Sequence, residues 1–366
     1  MRPEDMLKEV PVREAIGLRL AHDLTQIIPG EFKGRLFQKS HLIREEDIPA
    51  LLRIGKEHIY ILDLQDGYLH EDEAALRMAR AVLGENLEMA GPTEGKVTLN
   101  STIHGLLKIH KPYIDAVNAI DEICLSTLTT NTVVQPGQPV LATRVIPLLV
   151  AEDKIARIES MARQSDGSAG LVAPDVTDQD DSSGSAASQQ HGGAAGSVGA
   201  ASVIPFRKLK VGLITTGSEV YHGLIEDQFA PVIQAKITGL GSELIGQRIT
   251  PDHSDAIVQE IRYFQEQQAD LILVTGGMSV DPDDRTPGAI KQAGADIVCH
   301  GTPMLPGSML MMAYLGETPI VGLPGSVMYH TFTSFDVLLP RILAGERIMR
   351  QDITDMGYGG LRSDKG

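Results

Sequence analysis

The sequence predicts an α/β protein in two parts, a doubly wound sheet domain at the C-terminus and a smaller α+β lobe at the N-terminus. Three observations carry this. From residue 210 onward, short apolar runs alternate with stretches at helical spacing, the rhythm of a parallel sheet with crossover helices. Three of the runs end directly in glycine-rich turns: Thr215-Thr216-Gly217-Ser218-Glu219, Thr275-Gly276-Gly277-Met278-Ser279 and Gly322-Leu323-Pro324-Gly325-Ser326. Finally, residues 165–202 hold 23 Ala, Gly or Ser among 38 positions, five Asp and no Lys or Arg, too few apolar side chains to offset the entropy of ordering. The expected division is therefore an N-terminal α+β region over 1–164, a flexible linker over 165–202, the α/β domain over 203–350 and a tail over 351–366.

Taken in order, Lys210–Thr215, Glu243–Ile249, Asp270–Val274 and Asp296–His300 read as strands. The stretches near Gln228–Leu240, from about His253 to Gln267 and from Pro287 to Ala293 read as the helices between them. Ile257, Ile261 and Phe264 recur at helical spacing and are expected to face the sheet. Thr286 before Pro287 predicts a helix start, with threonine as cap and proline at the first helical position. Met309–Tyr314 and Pro319–Leu323 read as two further strands joined at Gly316, and Val327–Leu343 as a long apolar helix that closes the domain.

Before the linker, Arg13–Leu24, Glu46–Gly55 and Glu71–Gly84 read as helices, and His58–Leu62 and Lys96–Leu99 as strands. Gly105–Ala119 reads as mostly helix, interrupted at Pro112. Ile123–Thr127, Val133-Val134 and Val140–Val145 read as strands linked through the Pro136-Gly137 turn.

A chain of 366 residues suffices for two or three domains of ordinary size. A net charge of -16 argues against a general nucleic-acid binder, which would show a basic patch. Five of those charges lie in the linker. No apolar run approaches the ~20 residues that cross a bilayer, and the first residues lack the apolar core of a secretion signal, so a cytoplasmic location is expected. Cys124 and Cys299 are far apart and sit in no Cys-x-x-Cys or Cys/His cluster, so the sequence suggests neither a zinc site nor a disulfide framework. No Ser-His-Asp set or Walker loop emerges.

The glycine-rich turns point to an anion-binding rim. In an open parallel sheet, loops leaving the carboxyl ends of the strands form the ligand crevice, and glycine there lets backbone N–H groups approach a phosphate. Glu219, at the mouth of the first strand, reads as a ligand-facing acid or a solvated carboxylate. Asp227 reads as a helix cap. The adjacent carboxylates of Asp283 and Asp284 are hard oxygen donors of the kind Mg²⁺ takes, and also a plausible helix-start box ahead of Thr286. Asp252 by itself reads as a cap. Gly325 and Ser326 are placed to hold an anion at the positive end of the last helix.

Taken together, Thr216-Gly217-Ser218-Glu219, Gly223 with Ile225 and Asp227, Thr275 through Val280, Pro306-Gly307 and Leu323-Pro324-Gly325 resemble the molybdopterin-binding domain of molybdenum-cofactor biosynthesis proteins. The layout is most similar to the molybdopterin molybdenumtransferase family, and Gly17 through Leu24 and Gly34 through Ile61 resemble its N-terminal region. The resemblance implies insertion of molybdate into adenylylated molybdopterin with release of AMP. It implies that Thr216, Gly217, Ser218, Glu219, Asp227, Gly276, Gly277, Ser279, Pro306, Gly307, Pro324, Gly325 and Ser326 bind the pterin and its phosphates. It further implies that Asp284 and Asp252 are catalytic, that Asp283, Asp284 and Glu219 hold Mg²⁺, that the protein is a homo-oligomer, and that a molybdoenzyme or another biosynthesis protein is its partner.

Three departures from the family pattern support a second reading. Leu305-Pro306-Gly307-Ser308-Met309 stands where the family generally has Lys-Pro-Gly-Lys-Pro, the Ser-x-Met-Asp-Gly-Tyr-Ala segment has no match before the linker, and no β domain follows Leu343. The second reading is a carrier or sensor that binds the cofactor without chemistry. A third, a molybdopterin adenylyltransferase, draws on Pro282-Asp283-Asp284-Arg285-Thr286-Pro287.

Overall fold

The computed structural model describes residues 6–28, 32–39, 41–62, 64–168, 199–278 and 285–362. It divides into two compact units: Met1–Thr102 with Ile109–Thr130 and Pro136–Ser202, and Ile103–Lys108 with Asn131–Gln135 and Val203–Gly366. Of the segment expected as a linker, residues 169–198 lie outside the described residues.

The first unit opens with strands β1 (Leu7–Pro11), β2 (Leu24–Ile28) and β3 (Phe32–Phe37), followed by helix α1 (Ile48–Arg53), β4 (His58–Leu62) and β5 (Tyr68–His70). Helix α2 (Glu71–Val82) leads to β6 (Leu87–Thr93), β7 (Lys96–Ser101) and β8 (Gly105–Ile109). After α3 (Lys111–Asn118) come β9 (Ile123–Thr127), β10 (Val133–Val134), β11 (Pro139–Val145), β12 (Leu149–Ala151) and α4 (Glu152–Ser168). Within the first unit they form small antiparallel sheets, β1 with β4, β2 with β3, β5 with β12, and β6-β7-β11-β9, whereas β8 and β10 fall almost wholly in the second unit, in a three-stranded sheet of order β10-β8-β13 with β13 at Ala201–Pro205. Helix α2 forms because His70 caps it, accepting from the Asp72 N–H, because Glu71, Asp72 and Glu73 favour its positive end, and because Ala74, Met78 and Val82 line one buried face.

Two expectations for this region are overturned. Arg13–Leu24 is not a helix: a short 3-10 turn covers Val12–Glu14, Gly17 takes a positive φ, and Leu20 bridges Ile61 in an extended chain. Gly105–Ala119 is half strand, and Pro112 sits in the first turn of α3, where its missing N–H costs nothing.

The second unit is built on β13 (Ala201–Pro205), β14 (Lys210–Thr216), α5 (Ser218–Tyr221), α6 (Phe229–Gly239), β15 (Glu243–Thr250), α7 (Ser254–Glu266), β16 (Leu271–Thr275), α8 (Thr286–Gln292), β17 (Asp296–His300), β18 (Met311–Leu315), β19 (Thr318–Leu323), α9 (Ser334–Leu343) and α10 (Arg350–Asp355). Its sheet has the order β15-β14-β16-β19-β18-β17, with the first four strands parallel and β18 antiparallel to both its neighbours.

Successive strand residues point to opposite faces, and the two cores follow. On one face Val211, Leu213, Leu271, Leu273 and Val321 pack against Ile233 and Ile237 of α6 and Phe335, Leu338 and Leu339 of α9. On the other, Ile214, Ile272, Val274 and Ile320 pack against Ile257, Ile261 and Phe264 of α7 and Ala289 and Ile290 of α8. This is the doubly wound arrangement the sequence predicts. The long apolar helix expected over Val327–Leu343 divides, however, into a 3-10 turn at Gly325–Met328 and α9, because Thr333 and Asp336 form a capping box that starts a new helix.

Candidate functional site

The parallel register sets the carboxyl ends of β15, β14, β16 and β19 side by side, with Thr216 opposite Thr250, Thr215 opposite Thr275, and Thr275 opposite Leu323. β14, β16 and β19 each run straight into one of the three glycine-rich turns singled out by sequence, and β15 ends at Thr250 ahead of Pro251-Asp252. Gly217, Gly276 and Gly277 have φ of +140°, +85° and +54°, conformations that only glycine adopts freely.

Two of these glycines are also required by close approach. A Cβ on Gly276 would collide with the Thr216 carbonyl oxygen and lie 2.7 Å from the Thr216 hydroxyl. One on Gly277 would lie 3.0 Å from both Asp252 Oδ1 and Thr286 Oγ1. Thr216, Asp252, Gly276, Gly277 and Thr286 are thus brought together. Thr286 ties them: its hydroxyl donates to the Gly276 carbonyl oxygen at 2.8 Å and lies 3.3 Å from the Thr216 hydroxyl. This corrects the expected cap. The N-cap of α8 is Arg285, without a side-chain cap bond, and Thr286 binds the glycine turn instead.

Asp227 is a helix lock. Its carboxylate accepts from the N–H of Phe229 at 2.8 Å and of Ala230 at 3.2 Å, and Gln247 and Thr215 donate to it as well. That set of partners fixes the start of α6 to β14 and β15. Asp252 precedes His253, the N-cap of α7, and sends its carboxylate toward Gly277.

Ser218 and Glu219 are exposed in the first turn of α5. A Cβ on Gly217 would lie 3.9 Å from Glu219 Oε2, so the carboxylate stays beside its own turn. The Pro306 and Gly307 carbonyls are engaged by the fold: Ser334 donates its N–H to Pro306 at 3.3 Å and its hydroxyl to Gly307 at 2.6 Å, and Thr302 donates to Gly307 at 3.1 Å. Ser326, in the 3-10 turn after Pro324-Gly325, has a buried hydroxyl oxygen without a hydrogen-bond partner among the described residues. Ser279, Asp283 and Asp284 lie outside the described residues.

A cavity of about 220 Å³ opens among Phe229, Gly276, Gly277, Met278, Met309, Leu323 and Gly325. Phe229, Met278, Met309 and Thr286 are the residues that sequence reasoning left out of the site. Their signal was proximity to quoted motifs, since each lies within two residues of a motif position. A larger cavity, about 470 Å³, opens at the other end of the sheet beside Leu209, Asp270 and Pro319. Open parallel sheets bind ligands at the carboxyl ends, and the larger cavity's Arg347 is already paired with Glu317 at 3.1 Å.

Among the described residues, the hard oxygen donors at Gly277 are the Asp252 carboxylate and the Thr216 and Thr286 hydroxyls. That set suits a largely hydrated Mg²⁺, which takes one or two carboxylates and keeps several waters. The described group with three acidic or imidazole donors in mutual reach lies elsewhere, at His70, Glu71 and Asp72, where the Lys39 ammonium already hydrogen-bonds both His70 and Asp72. No helix among the described residues is long and apolar enough to cross a membrane.

Comparison with known proteins finds similarity in both parts of the chain. Residues 9–63 match a family described as a domain of unknown function, and residues 212–344 match one described as a probable molybdopterin binding domain. The molybdopterin molybdenumtransferase of Synechococcus elongatus is 27% identical over 169 residues, 43% of this chain and 42% of that protein. Gephyrin of Dictyostelium discoideum is 33% identical over 138 residues, 32% of this chain and 19% of that protein. The chain therefore spans less than half the length of these relatives. Among solved structures, the molybdopterin biosynthesis enzyme MoaB of Thermus thermophilus aligns with 38% of this chain and 98% of its own at 22% identity and a TM-score of 0.31. The segment 212–344, which contains the three glycine-rich turns, matches the family described as a probable molybdopterin binding domain.

Proposed function

We propose that this protein acts in molybdenum-cofactor biosynthesis, binding molybdopterin at the carboxyl ends of β15, β14, β16 and β19 and inserting molybdate into the adenylylated form with release of AMP. The observation that carries the reading is the meeting of Gly276 and Gly277 with Asp252, Thr216 and Thr286. Backbone N–H groups exposed by glycine hold phosphate without a side chain in the way. The buried Ser326 hydroxyl, which has no partner among the described residues, would gain one from a bound oxyanion, and a buried polar group of this kind calls for an explanation.

Asp252, with Asp283, Asp284 and Glu219, would hold Mg²⁺, which neutralises phosphate and molybdate charge when bound. The protein's own contribution is position: the Thr286 and Asp227 locks keep the turns fixed before the ligand arrives. A homo-oligomer, a cytoplasmic location and a molybdoenzyme or biosynthesis partner belong to the same proposal.

One observation favours the second reading, a carrier or sensor. Leu305-Pro306-Gly307-Ser308-Met309 has no cation, and Lys236, at the far side of α6, is neutralised by Asp336 at 2.5 Å. The test is AMP release from adenylylated molybdopterin with Mg²⁺, molybdate present or withheld. Molybdate-dependent release supports the transferase. Tight pterin binding with no AMP formed replaces it with the carrier.

A further inference from the structure

Helices α2 and α4 pack against each other in the N-terminal unit, and a cavity of about 340 Å³ opens beside them, among Arg77, Arg80, Leu83, Glu159, Arg163 and Gly199. That volume lies in the range of small-molecule pockets, roughly 300–1,000 Å³. Arg77 and Arg80 are three apart on α2, and Glu159 and Arg163 four apart on α4, so each pair shares a helix face.

The charges do not balance. Glu159, the acid among the described lining residues, accepts from Arg77 on both oxygens, Nε to Oε1 at 2.8 Å and Nη2 to Oε2 at 2.9 Å, and feels the Arg163 charge without forming an ion pair with it. Arg77 spends its remaining arm on Glu152 at 2.7 Å. Arg77 therefore holds the two helices together, and Arg80 and Arg163 make no ion pair among the described residues. Three guanidiniums, of Arg77, Arg80 and Arg163, thus line the concavity with a single carboxylate among the described residues, Glu159, and the excess positive charge favours an anion beside it. In a chain of net charge -16, the overall field opposes an anion, so any anion held here is held by these local groups.

We infer that this cavity binds a phosphate-bearing small molecule, with Arg80 and Arg163 as its two anchors. Guanidinium forks match phosphate oxygens in pairs, and a phosphate ester carries up to two negative charges, matching two arginines where a carboxylate would match one. The site is separate from the glycine turns and does not rest on the function proposed for them.

The test is a titration of the full chain with inorganic pyrophosphate at constant ionic strength, followed by calorimetry and by the arginine Nε–H resonances. The expected result is a saturable shift at Arg80 and Arg163, with affinity lowered roughly tenfold or more in the Arg80→Gln/Arg163→Gln double variant. Glutamine is as good a helix former as arginine, so the double variant should keep its thermal midpoint. Arg157→Gln, an exposed change on the same helix beside a different depression, should leave the affinity unchanged. Pyrophosphate that shifts only the Gly276 and Gly277 amides and binds the double variant equally well would overturn the proposal, as would the absence of any saturable shift up to about 10 mM.

Discussion

The two units bury their chains by different means. The C-terminal unit has one six-stranded sheet with an apolar core on each face, and its strand residues Val211, Leu213, Ile214, Ile272 and Val321 are fully buried. The N-terminal unit divides its strands among sheets of two to four and fixes them with polar side chains, including the Lys39–His70–Asp72 contact and the Arg77–Glu159 fork. A continuous sheet pairs its own backbone and pushes unsatisfied polarity to its rim, so the close-packed glycine turns collect at the carboxyl edge. Small sheets leave polar groups within the structure, where charge pairs must satisfy them.

The largest effect is expected at that rim. Gly276→Ala places a Cβ against the Thr216 carbonyl at a positive φ, and should cost about 2–4 kcal/mol in thermal or chemical denaturation and abolish pterin binding. Gly325→Ala is the contrast. A Cβ there meets no atom within 4 Å and the φ is not left-handed, so stability should hold within about 0.5 kcal/mol. Equal costs at the two positions would show that the rim is not packed through Gly276.

Ser326→Ala should separate fold from ligand. Removing a buried hydroxyl with no partner among the described residues leaves stability unchanged or raises it by up to about 1 kcal/mol. Affinity for molybdopterin, measured by calorimetry, should fall roughly tenfold if that hydroxyl meets the ligand. Unchanged affinity would remove Ser326 from the site.

The same contrast explains what the sequence made legible. In the C-terminal unit, apolar runs such as Leu271–Val274 are buried on both faces, and the spacing of Ile257, Ile261 and Phe264 announces a helix that one sheet face covers. The break before α9 was also written there, as Thr333 followed three residues later by Asp336, but the apolar content of Val327–Leu343 masked it. Gly105–Ile109, before the linker in sequence but packed almost wholly with the C-terminal unit, is too short to tell strand from helix by period, and tertiary packing decides: a Cβ on Gly105 would lie 2.8 Å from Val203 Cγ1, a contact no local pattern contains. The site divides in the same way. Gly276 and Gly277 were readable from their motif, whereas Phe229, Thr286 and Met309 enter through the fold. His70 was overlooked because its partner Lys39 lies 31 positions away.

The smallest effect tests the N-terminal half of the comparison through pH. His70 is held below its ordinary value of 6.5, first by burial and then by the Lys39 ammonium, whose Nζ lies 2.9 Å from Nδ1. Nδ1 also accepts from the Asp72 N–H, while Nε2 faces the Ala21 carbonyl at 3.3 Å, so the folded ring is neutral with its proton on Nε2. A histidine whose folded pKa is depressed binds protons more readily when unfolded. Its contribution is therefore present above about 6.5 and is lost as pH falls below that value through the folded pKa.

Two acids next to His70 act in opposite directions. Glu71 is raised above 4.5 by burial and by the Asp72 charge, so its protonation regains stability as pH falls through its raised folded pKa. Asp72 is lowered despite burial, by hydrogen bonds from Lys39 and the Gly95 N–H, and its contribution is lost only in stronger acid. Lys39→Met removes a cation from His70 and a donor from Asp72 at once, so both pKa values should rise, followed by the ring and carboxyl chemical shifts. Because both folded values then lie nearer their unfolded ones, the variant should lose less stability as pH falls, with a flatter stability–pH curve than the parent, while Gly276 and Gly277 amide shifts stay constant. If His70 titrates at the same pH with and without Lys39, the ammonium does not set its charge, and burial alone accounts for the neutral ring.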